Sequence, residues 1–156
     1  MLNECTLTIE DFIRAKEFAV KTAKMHKDFS IKRQRDNNQK IENIRIGKLG
    51  EIVFRKLKQE EIIDKDPTED EHACIYDFKL KSGKSVDIKT LNESWKQRVY
   101  INFDVHSPAD IFVLIIIDEK NKTGKYIGQL TKEEVGKLLK YDVQNDAYYV
   151  DKKWFK

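Results

Sequence analysis

The seven residues Ile111-Phe-Val-Leu-Ile-Ile-Ile117 constrain this chain more than any other stretch. A strand that is apolar on both faces must be covered on both faces, so this run is predicted to be the central strand of a sheet with layers on either side. At seven residues it falls far short of the ~20 needed to span a bilayer, and no longer apolar run occurs. Mean hydropathy is −0.66, and eight Phe, six Tyr and two Trp supply enough apolar bulk to argue against disorder. A length of 156 residues is that of one domain able to bury its own core. Glu4, Glu10 and Asp11 break anything resembling a secretory signal, and Cys5 and Cys74 are too few for a disulfide framework. The expectation is a protein of the reducing cytoplasm with no membrane partner.

Around the central strand, hydrophobic spacing predicts the other elements. Phe12, Ile13, Ala19, Val20 and Ala23 recur at helical spacing behind Thr8, giving a helix over 9–27. Residues 30–39 are polar and basic and read as either a loop or a helical continuation. A second helix runs from about Ile44 or Ile46 to Gln59, with Leu49, Ile52, Val53 and Leu57 as its stripe. A loop follows over 64–72. From Ile75 the period changes to two, with short strands at 76–80 and 85–90 and a half-buried strand alternating through Val99, Ile101, Phe103 and Val105. After the central strand, Asn121–Gly124 turns the chain back along 125–128. Thr131 and Glu134 form a capping box for a short helix, and 148–150 make a last strand. The fold class is α/β, a central mixed β-sheet flanked by helices. It is organised as one domain: a basic helical region at 1–43, a core at 44–118 and a strand-helix-strand unit at 119–156.

Net charge is only +3, but its distribution is uneven. Residues 11–50 carry eleven basic side chains against five acids, about +6, whereas 60–71 hold seven acids against Lys65 alone. A solvated helix face accounts for many such runs, and a phosphate backbone for others.

The segment 76–90 carries the chemistry. Asp87 and Lys89 lie between Val86 and Ile88, so they share one strand face at a spacing of roughly 7 Å. A loop of Lys81-Ser82-Gly83 puts glycine at the left-handed position such hairpins need. If Leu80 then faces Lys84, Asp77 lies opposite Asp87, with Cβ atoms about 5 Å apart. Two carboxylates so close repel, and a divalent cation between them removes the objection. Upstream, Gly47-Lys48-Leu49-Gly50-Glu51 places an acid beside the apolar stripe of its helix, with glycines that permit close approach to another backbone. Together these are hard oxygen donors suited to magnesium.

Asp77…Asp87-Ile88-Lys89, preceded by a helical Gly-x-x-Gly-Glu, resembles the PD-(D/E)xK nuclease superfamily over roughly residues 44–118. Tyr76 stands where the family name has proline, and the second acid is Asp in place of the more frequent Glu. The resemblance implies a restriction-endonuclease-like fold and an Mg2+-dependent deoxyribonuclease, with Mn2+ as substitute. It makes Glu51, Asp77, Asp87 and Lys89 catalytic, and Asp77, Asp87, Ile88 and Glu51 metal ligands. DNA is then the partner, held by Lys32, Arg33, Arg35, Arg45, Lys48, Lys96 and Arg98, and a homodimer is left open. The absence of a separate recognition domain favours a structure-directed or weakly specific endonuclease. A sequence-specific restriction enzyme and a non-catalytic nucleic-acid-binding protein of the same fold remain alternatives. Asp-x-Lys itself occurs four times, at Asp77, Asp87, Asp118 and Asp151; only the Asp87 copy has a hairpin partner, apolar neighbours and an upstream helical acid.

Other residues carry less. His72 with Cys74 lacks a second ligand pair, His106 ends a strand beside Ser107 and Pro108, and Cys5 has no base near it in sequence. Trp95, beside Lys96 and Arg98, reads equally as a packing residue and as a platform for a base.

Overall fold

The computed structural model describes residues 3–24, 31–63, 76–102 and 109–156, with the backbone alone over 31–36. The central-strand expectation holds. Strand β5 (Ile111–Asp118) lies inside a five-stranded mixed sheet that also contains β1 (Glu4–Thr6), β2 (Phe78–Lys79), β3 (Ser85–Leu91) and β6 (Thr123–Thr131). Their order is β1-β6-β5-β3-β2; β3 and β5 run parallel and the other neighbours antiparallel.

Alternation along β5 builds two cores, one on each face. Ile111, Val113, Ile115 and Ile117 point toward helix α2 (Ile31–Lys58) and pack with Leu49, Ile52, Val53 and Phe54. Phe112 and Leu114 point the other way, into a cluster with Val99, Ile101, Leu130, Val135, Val150 and Phe155. That second cluster is closed by helix α3 (Lys132–Leu138) and a separate three-stranded sheet, ordered β4-β8-β7, of β4 (Arg98–Tyr100), β7 (Lys140–Asp142) and β8 (Ala147–Asp151). Fully burying a large aliphatic side chain is worth about 1.5–3 kcal/mol, so β5 contributes to both layers at once.

Helix α1 (Ile9–Lys24) starts as its sequence requires. Thr8 Oγ1 accepts the Asp11 N–H at 3.2 Å while the Asp11 carboxylate accepts the Thr8 N–H at 2.8 Å. The same carboxylate is paired with Lys56, which ties α1 to α2. The capping box of α3 is also present, with Thr131 and Glu134 exchanging hydrogen bonds of 3.1 Å.

Three features depart from the sequence reading. The second helix starts at residue 31 and not near Ile44 or Ile46: the polar stretch read as either a loop or helix is helix, and α2 is continuous through the glycines and across the 43/44 boundary. Strands β1 and β7 were not expected at all. The strand through Val99 is short, ends at Tyr100 and joins the second sheet. Its expected continuation through Phe103, Val105 and His106, like the loop at 64–72 and the pair His72 and Cys74, falls outside the described residues. Among the described residues, no helix is long and apolar enough to cross a membrane.

Candidate active site

The hairpin joining β2 to β3 sets the site's register. Gly83 has φ +88° and donates its N–H to the Leu80 carbonyl at 2.8 Å, while the Leu80 N–H reaches the Lys84 carbonyl at 2.9 Å. The loop is therefore Lys81-Ser82-Gly83, with glycine where only a residue lacking Cβ sits without strain. Phe78 pairs with Val86 and Lys79 with Ser85, so the next step of the register brings Asp77 beside Asp87. Pairing stops here. The Asp77 N–H still bonds the Val86 carbonyl at 2.9 Å, and beyond it the Asp77 carboxylate takes over, accepting the Ile88 N–H at 2.6 Å. A side chain thus satisfies a main-chain donor of β3 where its neighbour strand ends.

Val86 and Ile88 are buried in the α2-facing core, so Asp87 and Lys89 project from the opposite face. They form an ion pair with Lys89 Nζ 3.1 Å from Asp87 Oδ2, both side chains about one-quarter exposed. Asp77 is the electrostatic outlier. Its carboxyl titrates well above the usual carboxylate range, first because it is enclosed by protein and then because the charges of Glu51 and Asp87 press on it. The Ile88 N–H and the Lys89 ammonium pull the other way without prevailing.

Glu51 arrives on α2. Its neighbour Lys48 is buried, with Nζ 3.4 Å from the Glu51 carboxylate and 4.5 Å from the centre of the Phe18 ring. The helix comes this close to β3 at Gly50, where a Cβ would lie 1.9 Å from Thr90 Oγ1. Gly47 has open space around it, so the close approach expected of both glycines belongs to Gly50 alone.

Asp77, Asp87 and Lys89 therefore stand together on the β2–β3 hairpin, with Glu51 near enough for its charge to act on Asp77, and each acid already has an internal partner. Asp77 holds the Ile88 N–H, Asp87 holds Lys89 and Glu51 holds Lys48. Among the described residues no three acids, histidines or cysteines are gathered around one point as a ready-made metal cage. The oxygens present are hard donors of the kind magnesium takes, and Asp77, Asp87, Glu51 and the Ile88 carbonyl are the groups that would hold such an ion. To bind a common ion, Asp87 and Glu51 would exchange their lysine partners for it.

The residues expected to hold a phosphate backbone divide in three. Arg45 is only 13% exposed, pairing with Glu42 and, at 2.7 Å, with Glu119, which ties α2 to the β5–β6 turn. Lys48 faces inward as described. Both are structural in placement, unlike the displayed cations expected. Lys96 and Arg98 are at the surface; Lys96 lies 3.5 Å from Glu93, and Arg98 lies 3.1 Å from Asp142 with its guanidinium 4.5 Å from the Tyr149 ring centre. Lys32, Arg33 and Arg35 are on α2, with side chains outside the description.

One feature was not anticipated. A cleft of ≈ 810 Å³ opens beside Lys89, with Asn43 of α2 on one side and Tyr100, Asn102, Asp146 and Tyr148 of the second sheet and its turns on the other. Its walls come from residues more than 100 positions apart, and only the exposed tyrosines hinted at it. The sequence matches no family model and no curated protein.

Proposed function

We propose that this protein is a divalent-metal-dependent deoxyribonuclease with the restriction-endonuclease-like arrangement that its Asp77…Asp87-Ile88-Lys89 motif resembles. The observation that carries the reading is the β2–β3 register, which sets Asp77 beside Asp87 with the Lys89 ammonium 3.1 Å from the Asp87 carboxylate. A carboxylate enclosed at a sheet edge, pressed by Glu51 and Asp87 and opposed chiefly by one N–H and one lysine, is an arrangement that costs folding free energy. Sites of this kind are kept where the charge is needed for function.

The roles follow from position. Bound Mg2+ or Mn2+ would polarise a water and neutralise charge on the phosphate undergoing hydrolysis. Asp77 and Asp87 hold that charge in place, with Glu51 on the helix side. Lys89, one strand position pair beyond Asp87, directs its ammonium at the attacked phosphate and its water. The basic sequence of residues 11–50, apart from the inward-turned Arg45 and Lys48, and the surface cations Lys96 and Arg98 favour a polyanion as substrate without reading its sequence.

The test is cleavage of supercoiled, linear and branched DNA with Mg2+ or Mn2+, using wild type and Lys89→Ala. Lys89 is partly exposed and faces away from the α2 core, so the variant should fold and fail to cleave. Wild-type protein inert on every substrate would overturn the reading in favour of a non-catalytic binding protein. Substantial activity in folded Lys89→Ala would remove Lys89 from the chemistry.

A further inference from the structure

The cleft beside Lys89 has a chemistry of its own. At ≈ 810 Å³ it falls in the range of sites that hold a single small molecule, about 300–1,000 Å³, and it is far too small to enclose a duplex. Lys89 is one of its lining residues. Tyr148, 47% exposed, supplies aromatic surface. Asn43 and Asn102 are exposed carboxamides, each able to donate and accept hydrogen bonds, and the Asp146 carboxylate adds an acceptor.

The far wall is a fixed platform. The Ile101 N–H donates to the Tyr148 carbonyl at 3.0 Å, prolonging the β4–β8 pairing past Tyr100. Tyr148 packs on Tyr141 with ring centres 5.2 Å apart, and the Tyr100 hydroxyl donates to the Asp142 carboxylate at 2.6 Å. The register sets Tyr148 on the sheet face shared with Val150 and Tyr100 on the opposite face beside Tyr149, so Tyr148 is the ring offered to the cleft, with its neighbour Tyr141 alongside and 47% of it still exposed. Among the lining groups the Lys89 ammonium suits a phosphate, and the Tyr148 ring with the two carboxamides suits an uncharged base.

We infer that this cleft is a nucleotide subsite, which receives one unstacked nucleotide adjoining the scissile phosphate. The inference rests on the nuclease reading for the word scissile, though the binding it describes does not require cleavage. A base inside a duplex cannot reach such a cleft without leaving the stack, and that cost is least for a strand already single. The preferred substrate is therefore DNA with single-stranded character at the cut: a tail, a flap or a branch.

Binding tests this apart from catalysis. Anisotropy of a labelled 12-nucleotide single strand, and of the blunt duplex of the same sequence, would be followed in EDTA so that nothing is cut. Wild type should bind the single strand more tightly. Tyr148→Ala should weaken single-strand binding by at least about fivefold, the loss expected for one stacked base, and change duplex binding little. Tyr148→Phe should stay within about twofold of wild type, since the ring does the stacking. Asn102→Ala, an exposed position, is the second probe and should weaken the single strand selectively. Equal wild-type affinity for the two DNAs, or single-strand affinity unchanged in both Tyr148→Ala and Asn102→Ala, would overturn the subsite. Tyr148-dependent strand binding by a protein that cuts nothing in Mg2+ would support the subsite and overturn the nuclease reading alone.

Discussion

The carboxylate of Asp77 accepts the main-chain N–H of Ile88 at 2.6 Å, closing the β2–β3 ladder with a side chain at the point where the strands part. That bond favours the ionised form, yet enclosure and the neighbouring acids win, and the folded protein holds the Asp77 proton more tightly than the unfolded chain does. Between the ordinary carboxylate value of 3.8 and the raised one, the native state binds more protons than the unfolded state. Stability then falls as pH rises through this window and carries a constant penalty above it. Asp77→Asn keeps an oxygen for the Ile88 N–H and has no charge to lose. Its urea midpoint should exceed that of wild type at neutral pH, with the gap shrinking as the pH drops toward 4. A gap independent of pH would show that Asp77 does not titrate abnormally.

Magnesium should act on the same charges. An ion that binds the folded site at 100 times its dissociation constant adds about 2.7 kcal/mol. For a chain of this size that is a rise of about 5–10 °C in melting temperature. Asp87→Asn should leave stability without metal unchanged or improved, because one of the repelling charges is gone, and should respond to Mg2+ by much less. Parallel titrations of the two proteins would remove Asp87 from the metal site.

Much of this site was legible because it is local. A three-residue loop ending in glycine, strand alternation and the pairing of Asp77 with Asp87 all follow within residues 76–90. The two-faced run of β5 likewise demanded two layers. The second layer itself was not legible, since β4 and β8 join residues some fifty positions apart and each is short. Nor was the continuity of α2 through 31–43, whose Lys, Arg and Gln favour helix while offering no apolar stripe to mark a period. Arg45 and Lys48 show the limit of counting charge: the number of cations was readable, but the inward turn of Arg45 depends on Glu119, a partner 74 residues away.

Asp142 organises the second sheet, and thereby one wall of the cleft. It accepts from the Tyr100 hydroxyl at 2.6 Å, Asn145 Nδ2 at 2.8 Å and Arg98 at 3.1 Å, as well as two backbone N–H groups of its own turn. The Tyr100 and Asn145 bonds foremost lower its pKa from 3.8 to about 2. A depressed carboxylate contributes stability that is complete above its unfolded pKa and is lost as pH falls toward the folded one. Asp142→Asn should be less stable than wild type at neutral pH, and the two denaturation midpoints should converge between about pH 4 and pH 2. If they remain apart by a fixed amount down to pH 2, the carboxylate charge is not the source of the difference.

The two glycines of α2 give opposite expectations from one chemical change. Gly→Ala in a helix interior gains about 0.8–1.0 kcal/mol of intrinsic propensity where the new methyl meets nothing. Among the described residues Gly47 has no atom beyond its own helical turn within 4 Å of its prospective Cβ, so Gly47→Ala should stabilise by up to about 1 kcal/mol. At Gly50 the same methyl would lie 1.9 Å from Thr90 Oγ1 and 2.9 Å from Thr90 Cβ. Thr90 is β-branched, and its Oγ1, Cβ and Cγ2 all lie within 3.0 Å of the added methyl, so turning the side chain only exchanges one clash for another. Overpacking of this kind costs about 1–3 kcal/mol, which exceeds the propensity gain. Gly50→Ala should therefore destabilise, and because the displaced helix carries Glu51, it should also alter the charge felt by Asp77. Adding Thr90→Ala removes Oγ1 and Cγ2, leaving only the Cβ at 2.9 Å, and should recover part of the loss in a denaturation experiment. Gly50→Ala as stable as Gly47→Ala would mean that α2 and β3 are not in the close contact that brings Glu51 to the sheet edge.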